Sequence, residues 1–154
     1  MISFEVHKLL LEKKLSLAIG ESCTGGALSA ALVAHPDASK YLQGSIVAYN
    51  NRAKIELLDV LPETLDAFGP VSREVVEEMA FGACKKLHAA VGVAVSGYLG
   101  PTGDKVGFVV ASIVHDGNVV ETWTMQQSGS RQEILTHTVE QILERMKKYA
   151  SRSF

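Results

Sequence analysis

An apolar run, Leu15-Ser16-Leu17-Ala18-Ile19, passes directly into Gly20-Glu21-Ser22-Cys23-Thr24-Gly25-Gly26 and then into small residues from Ala27 to Ala34. The pattern reads as a short buried strand, a tight polar turn and a small-residue helix. That arrangement sets backbone N–H groups and the Ser22 hydroxyl at a helix N-terminus, where anions bind and oxyanions are stabilised. A plainer reading stands beside it: Ser22 or Thr24 as an N-cap, and Gly25-Gly26 as the place where the helix passes close to a neighbouring backbone. The rest of the chain bears on the choice.

Apolar positions Phe4, Leu9, Leu10 and Leu11 suggest an opening helix. After the polar break His35-Pro36-Asp37-Ala38-Ser39, the stretch Gly44 to Tyr49 reads as a second strand ended by Asn50-Asn51. A helix is expected over Arg52 to Leu58, a shorter one after Pro62, and a longer one from Ser72 to Leu87. In the last, Ser72 is the N-cap and Val75, Val76, Met79, Ala80 and Ala83 form the apolar face. Val91 to Ser96 reads as a buried strand that meets a second glycine-rich turn, Gly97 to Lys105, polar and long enough to line a cleft. Val106 to His115 and Val119 to Gln126 flank Asp116-Gly117-Asn118, a strong hairpin signal. Ser130 with Glu133 fits a capping box that opens a closing helix to about Tyr149. The expected fold is therefore a three-layer α/β/α sandwich with a mixed, mostly parallel sheet and a C-terminal antiparallel hairpin. Ser22, Tyr49 and Gly97 to Gly103 fall at strand ends, where open α/β sheets bind ligands.

The 154 residues, 47% of them hydrophobic, suffice for one core, and one domain over residues 1–154 is expected. No apolar run approaches the roughly 18 residues that cross a bilayer, and the first residues do not read as a leader, so a cytoplasmic protein is expected. A net charge of −2 without a block of like charges argues against nucleic acid and membrane as partners. Two cysteines, Cys23 and Cys84, make neither a disulfide framework nor a CxxC site, and the five histidines show no HxxxH or HExxH spacing. No metal or other cofactor is expected. Exposed apolar helix faces in so short a chain suggest a homo-oligomer.

Taken together, Glu21-Ser22-Cys23-Thr24-Gly25-Gly26, the Gly44 to Asn50 strand with Lys54, Val71-Ser72 with its helix ending Gly82-Ala83, Ser96-Gly97-x-x-Gly100-Pro101-x-Gly103 and Val106-Gly107 resemble the CinA C-terminal domain family over nearly the whole chain. The resemblance implies that family's fold, associated with competence-damage-inducible proteins. It also implies an activity: hydrolysis of the carboxamide of nicotinamide mononucleotide to nicotinate mononucleotide and ammonia, the small-molecule substrate of bacterial pyridine-nucleotide salvage. The chain departs from the family pattern in two places. It has Tyr98-Leu99 where the family usually has Ile-Ala, in a shorter turn, and it keeps Arg131 but has Leu135 where a second arginine is common.

Metal-free amide hydrolysis needs a nucleophile, a base, an acid for the leaving ammonia and a cradle for the oxyanion. Ser22 is the expected nucleophile, and the resemblance points to Tyr49 and Lys54 as its partners. Lys54 would need enough desolvation to lose its proton near neutral pH. From the residues alone, Lys54 reads equally as a solvated helix lysine and Tyr49 as a packed aromatic. Cys23 stays open as a rival nucleophile, since a thiol at a helix N-terminus has a lowered pKa. Glu21 either orients the turn or holds Lys54. Glu21, Cys23, Thr24, Gly25 and Gly26, with Gly97, Gly100, Pro101, Thr102, Gly103 and Arg131, are assigned to substrate binding. The alternatives in function are a nucleotide-binding module without turnover and an amidase for a different small carboxamide.

Overall fold

Helix and strand follow one another in the order α1 (Ile2–Lys13), β1 (Leu17–Glu21), α2 (Ala27–Val33), β2 (Leu42–Val47), α3 (Asn51–Leu58), α4 (Pro62–Phe68), α5 (Arg73–Leu87), β3 (Val91–Gly97), β4 (Phe108–His115), β5 (Asn118–Gln126) and α6 (Arg131–Ala150). The computed structural model describes residues 1–152. The strands form one sheet in the order β2-β1-β3-β4-β5. β1 pairs in parallel with β2 and β3, while β4 is antiparallel to both β3 and β5. Four strands therefore point the same way and β4 alone runs against them, as a mixed, mostly parallel sheet requires.

Alternation along each strand divides the core into two halves. Leu17, Ile19, Val91, Val93, Val95 and Ile113 face α1, α2 and α6, where Leu28, Ile134 and Ile142 complete the packing. Ala18, Ala94, Val110 and Val114 face α3, α4 and α5, against Leu58, Met79 and Ala80. The molecule is thus the expected α/β/α sandwich. The expected apolar face of α5 is buried at all five positions, Val75, Val76, Met79, Ala80 and Ala83.

Boundaries moved where packing outweighed the local pattern. β1 runs two residues later than the apolar run, through Glu21, because each residue through Glu21 finds a partner on both neighbours. β2 covers Leu42–Val47, so Tyr49 lies beyond the strand, and a 3-10 turn at Ala38–Lys40 leads into it. β4 starts at Phe108 rather than Val106. In α1 the buried positions are Ser3, Val6, His7 and Leu10, whereas Phe4 is exposed. The polar members of that face find partners: His7 Nδ1 lies 3.0 Å from the Tyr41 hydroxyl, and Ser3 Oγ lies 2.9 Å from His35 Nε2. The hairpin turn has Asp116 and Gly117 both at positive φ, 47° and 80°, as the twist of a two-residue hairpin demands.

Candidate active site

Because β2, β1 and β3 are adjacent and parallel, their carboxyl ends deliver three loops to one edge of the sheet. Ser22 follows β1, Ala48 and Tyr49 follow β2, and the Tyr98–Thr102 turn follows β3. The Ser22 N–H donates to the Val95 carbonyl at 3.0 Å, and the Ala48 N–H donates to the Glu21 carbonyl at 2.8 Å, tying the loops together at their roots. β5 runs the same way and leads to α6, whose capping box, Ser130 with Glu133, sets Arg131 at the first helical position. These segments enclose a cleft of about 210 Å³ lined by Ser22, Cys23, Tyr49, Leu99, Thr102 and Arg131, with Gly97, Tyr98 and Gly100 completing its wall.

Lys54 lies behind Ser22. Its Nζ is 2.9 Å from Ser22 Oγ and 3.2 Å from the Ala48 carbonyl, and the residue is only 2% exposed. Lys54 is one turn before Leu58 on α3, and that shared face is the one packed inward. Asn50 caps the helix by accepting from the Ala53 N–H at 2.9 Å, which fixes where α3 begins relative to β2. Desolvation lowers the Lys54 pKa below the ordinary lysine value, with Cys23 opposing the shift more weakly. As an ammonium, Nζ donates to both oxygens; as a neutral amine, its lone pair accepts the Ser22 hydroxyl proton.

The turn after β1 has a different organisation from the one expected. Ser22 precedes α2 by a full turn of chain, and the donors at the start of α2 point at Glu21. Glu21 is fully buried. Its Oε1 accepts from Thr24 Oγ1 at 2.5 Å, the Gly26 N–H at 3.2 Å and the Leu28 N–H at 3.0 Å. Its Oε2 accepts from the Ser29 N–H at 2.9 Å, from the Ser29 hydroxyl and, at 3.4 Å, from the Ser45 hydroxyl. Glu21 and Thr24 thus sit beneath the turn, and Gly25 and Gly26 are not among the residues that line the cleft. Of the two roles open to Glu21, orienting the turn is the one its hydrogen bonds express. Ser29 and Ser45 were not anticipated, since nothing in their spacing announces a common acceptor.

Cys23 lines the cleft but is 6% exposed, and burial pushes its thiol up to about 12. The lowered pKa expected of a thiol at a helix N-terminus is absent because desolvation outweighs a backbone hydrogen bond to the thiol, and Glu21 adds to the upward shift. Tyr49 is 57% exposed, and its hydroxyl accepts from Arg131 Nη2 at 2.7 Å rather than meeting Lys54 or Ser22. The other fork of Arg131 donates to the Gly100 carbonyl, so one guanidinium joins the loop after β2 to the turn after β3. Pro101 and Gly103 stand outside the cleft lining, with Gly103 facing a neighbouring hollow shared with Tyr98, Thr102 and Lys105. Tyr98 and Leu99, the latter 3% exposed, line the cleft without having been among the expected substrate-binding residues. Leu135 packs among Ile2, Ala27 and Val139 between α6, α1 and α2, away from the cleft.

An open α/β sheet with a serine hydroxyl held against a buried lysine amine at its strand ends defines the class: an α/β/α protein with a preformed serine–lysine pair. The chain belongs to the CinA C-terminal domain family, whose model matches residues 2–150. It is 42% identical over 133 residues, 84% of its length, to a CinA-like protein of Fervidobacterium nodosum, but covers 32% of that protein. The chain spans about a third of the length of the curated relatives it matches. Its fold is also that of a competence-damaged protein (CinA) superfamily structure from Klebsiella pneumoniae, at a TM-score of 0.94, 29% identity and coverage of 97% of this chain and 96% of the other. The competence or damage-inducible protein of Enterobacter asburiae gives a TM-score of 0.93 at 33% identity, with coverage of 97% and 96%.

Proposed function

We propose that this chain hydrolyses the carboxamide of nicotinamide mononucleotide, giving nicotinate mononucleotide and ammonia, with Ser22 as nucleophile and Lys54 as its proton acceptor. The observation that supports the reading above the others is the 2.9 Å approach of the buried Lys54 amine to a serine hydroxyl that opens on the cleft. A serine alone is too weak an acid to attack an amide, and an amine desolvated by the core is a base of suitable strength beside it.

In this reading Ser22 Oγ bonds to the carboxamide carbon as its proton passes to Lys54 Nζ, and the carbonyl electron pair moves to oxygen. Collapse of the tetrahedral species breaks the C–N bond while Nζ returns the proton to nitrogen, so ammonia leaves. Water then attacks the acyl-Ser22 ester, gives its proton to Nζ, and Oγ departs with that proton. One water is consumed per acid and ammonia formed. Tyr49, whose oxygen is held by Arg131, keeps its own proton for donation into the cleft.

The test is incubation of the purified protein with nicotinamide mononucleotide, with ammonia and nicotinate mononucleotide both measured. Release of both in equal amounts is the expected outcome. Thermal stabilisation by the nucleotide without release would make the chain a binding module. Ser22-dependent ammonia from other carboxamides, with this nucleotide inert, would reassign the substrate.

A further inference from the structure

The amides that open α2 are turned toward the protein's own anion, and that anion is the residue adjoining the nucleophile. Glu21 ends β1 with its backbone locked between β2 and β3, and its side chain reaches under the following turn. Five donors converge on its two oxygens, the backbone N–H groups of Gly26, Leu28 and Ser29 and the hydroxyls of Thr24 and Ser29, while the Ser45 hydroxyl lies 3.4 Å away and is hydrogen-bonded to Ser29 Oγ at 2.5 Å. A fully buried carboxylate is tolerated only when satisfied in this way, and a satisfied one holds its donors tightly. Ser22 is the residue between the fixed end of the strand and the fixed start of the turn, so its φ and ψ are set from both sides.

The same arrangement bears on Lys54. Its hydrogen-bond partners are the Ser22 hydroxyl and the Ala48 carbonyl, both neutral, and its ion pairs among the described residues include no carboxylate. The nearest acidic residue in the turn has both oxygens engaged by α2 and its flanking hydroxyls.

We propose that Glu21 is the positioning residue of the nucleophile: by binding the donors of the turn and of α2 it fixes Ser22 toward Lys54, and by committing its carboxylate there it leaves the amine without a counter-ion. Resting on the function proposed above, this leaves the Gly26, Leu28 and Ser29 amides engaged by Glu21 and so not available to an oxyanion at Ser22.

The experiment compares wild type with Glu21→Gln, which keeps the size but loses the charge and replaces an acceptor with a donor, in ammonia release from nicotinamide mononucleotide across pH. Thr24→Val and Ser29→Ala each remove one side-chain donor without altering charge, and they serve if Glu21→Gln does not fold. Fold is checked by circular dichroism and melting temperature, with assays run well below the melting point. A misplaced nucleophile lowers kcat by about 100-fold in Glu21→Gln with KM within about threefold, and by several-fold in the donor variants. The acid limb of the pH profile stays where it is in wild type. An unchanged kcat in the folded variants overturns the proposal. So does a loss confined to KM, which would make Glu21 a substrate contact, or a displaced acid limb, which would make it the counter-ion of Lys54. Silence from wild type itself overturns the proposed hydrolysis and this inference with it, whereas an active wild type with an indifferent Glu21→Gln overturns this inference alone.

Discussion

Lys54 concentrates the chemistry and the cost of the site in one side chain. Its pKa is lowered chiefly by burial, so between the folded value and the ordinary value of 10.5 the unfolded chain binds more protons and stability rises with pH. Activity has the same sense: the neutral amine is the working form, and kcat rises with pH along a limb lying below the ordinary lysine range. Lys54→Met, which removes the amine at similar volume, is expected to lower kcat by about 1,000-fold. The melting temperature at pH 7 should be unchanged or raised, since an apolar replacement of a buried ionisable group is often neutral or stabilising. A large fall in melting temperature would mean that the amine is structural. At this scale the sequence was legible in part. Ser22 stood out from its glycine-rich surroundings, but the burial of Lys54 depends on how closely α3 approaches α5, and nothing local to Ala53-Lys54-Ile55 announces it. Cys23 misled for a related reason, because its solvation is a property of the packed turn.

Two elements set that geometry from a distance. Gly82 lies in α5 where a Cβ would stand 1.8 Å from the Leu58 carbonyl oxygen, at the end of α3. Backbone cannot yield as a flexible side chain can, so Gly82→Ala should cost about 3 kcal/mol, seen as a fall of roughly 10 °C in melting temperature. It should also reduce turnover, because Lys54 is one turn along the same helix. A melting point within two or three degrees of wild type would show that the helices separate without penalty. On the opposite face, α1 docks through His7, where burial lowers the pKa most, His35 adds to that effect and Asp37 partly offsets it. The unfolded chain therefore binds more protons below pH 6.5, and stability present above that value is lost as pH falls toward the folded pKa. The urea midpoint of wild type should drop between pH 7 and pH 5 by more than that of His7→Gln, and equal drops would remove His7 from the explanation. The helices were legible from periodicity and caps. The inward face of α1 was not, because two of its four buried residues are polar, Ser3 and His7, and count as core only once His35 and Tyr41 supply their partners.

For the molecule as a whole, function follows from topology. Parallel order in β2-β1-β3 brings loops from residues 22, 49 and 98 to one edge, and the parallel β5 brings Arg131 to the same place. The layered α/β/α order could be read from the chain because hydrophobic period, capping residues and the Asp116-Gly117 turn agree with one another. Which strand ends become neighbours could be anticipated, but the use of their polar groups could not. A carboxylate beside the nucleophile proved to serve the turn, and an arginine proved to join Tyr49 to Gly100 across the cleft. Both depend on side chains meeting over long sequence separations. Leu135, where the resemblance leads one to expect a second arginine, lies among apolar residues of α1, α2 and α6 and not in the cleft lining. The most direct measurement is the rate of ammonia release from nicotinamide mononucleotide by wild type and Ser22→Ala, prepared together and shown to be equally folded. Release by wild type with a fall of at least about 1,000-fold in Ser22→Ala is the expected result, and comparable rates from the two proteins would contradict a serine nucleophile paired with Lys54.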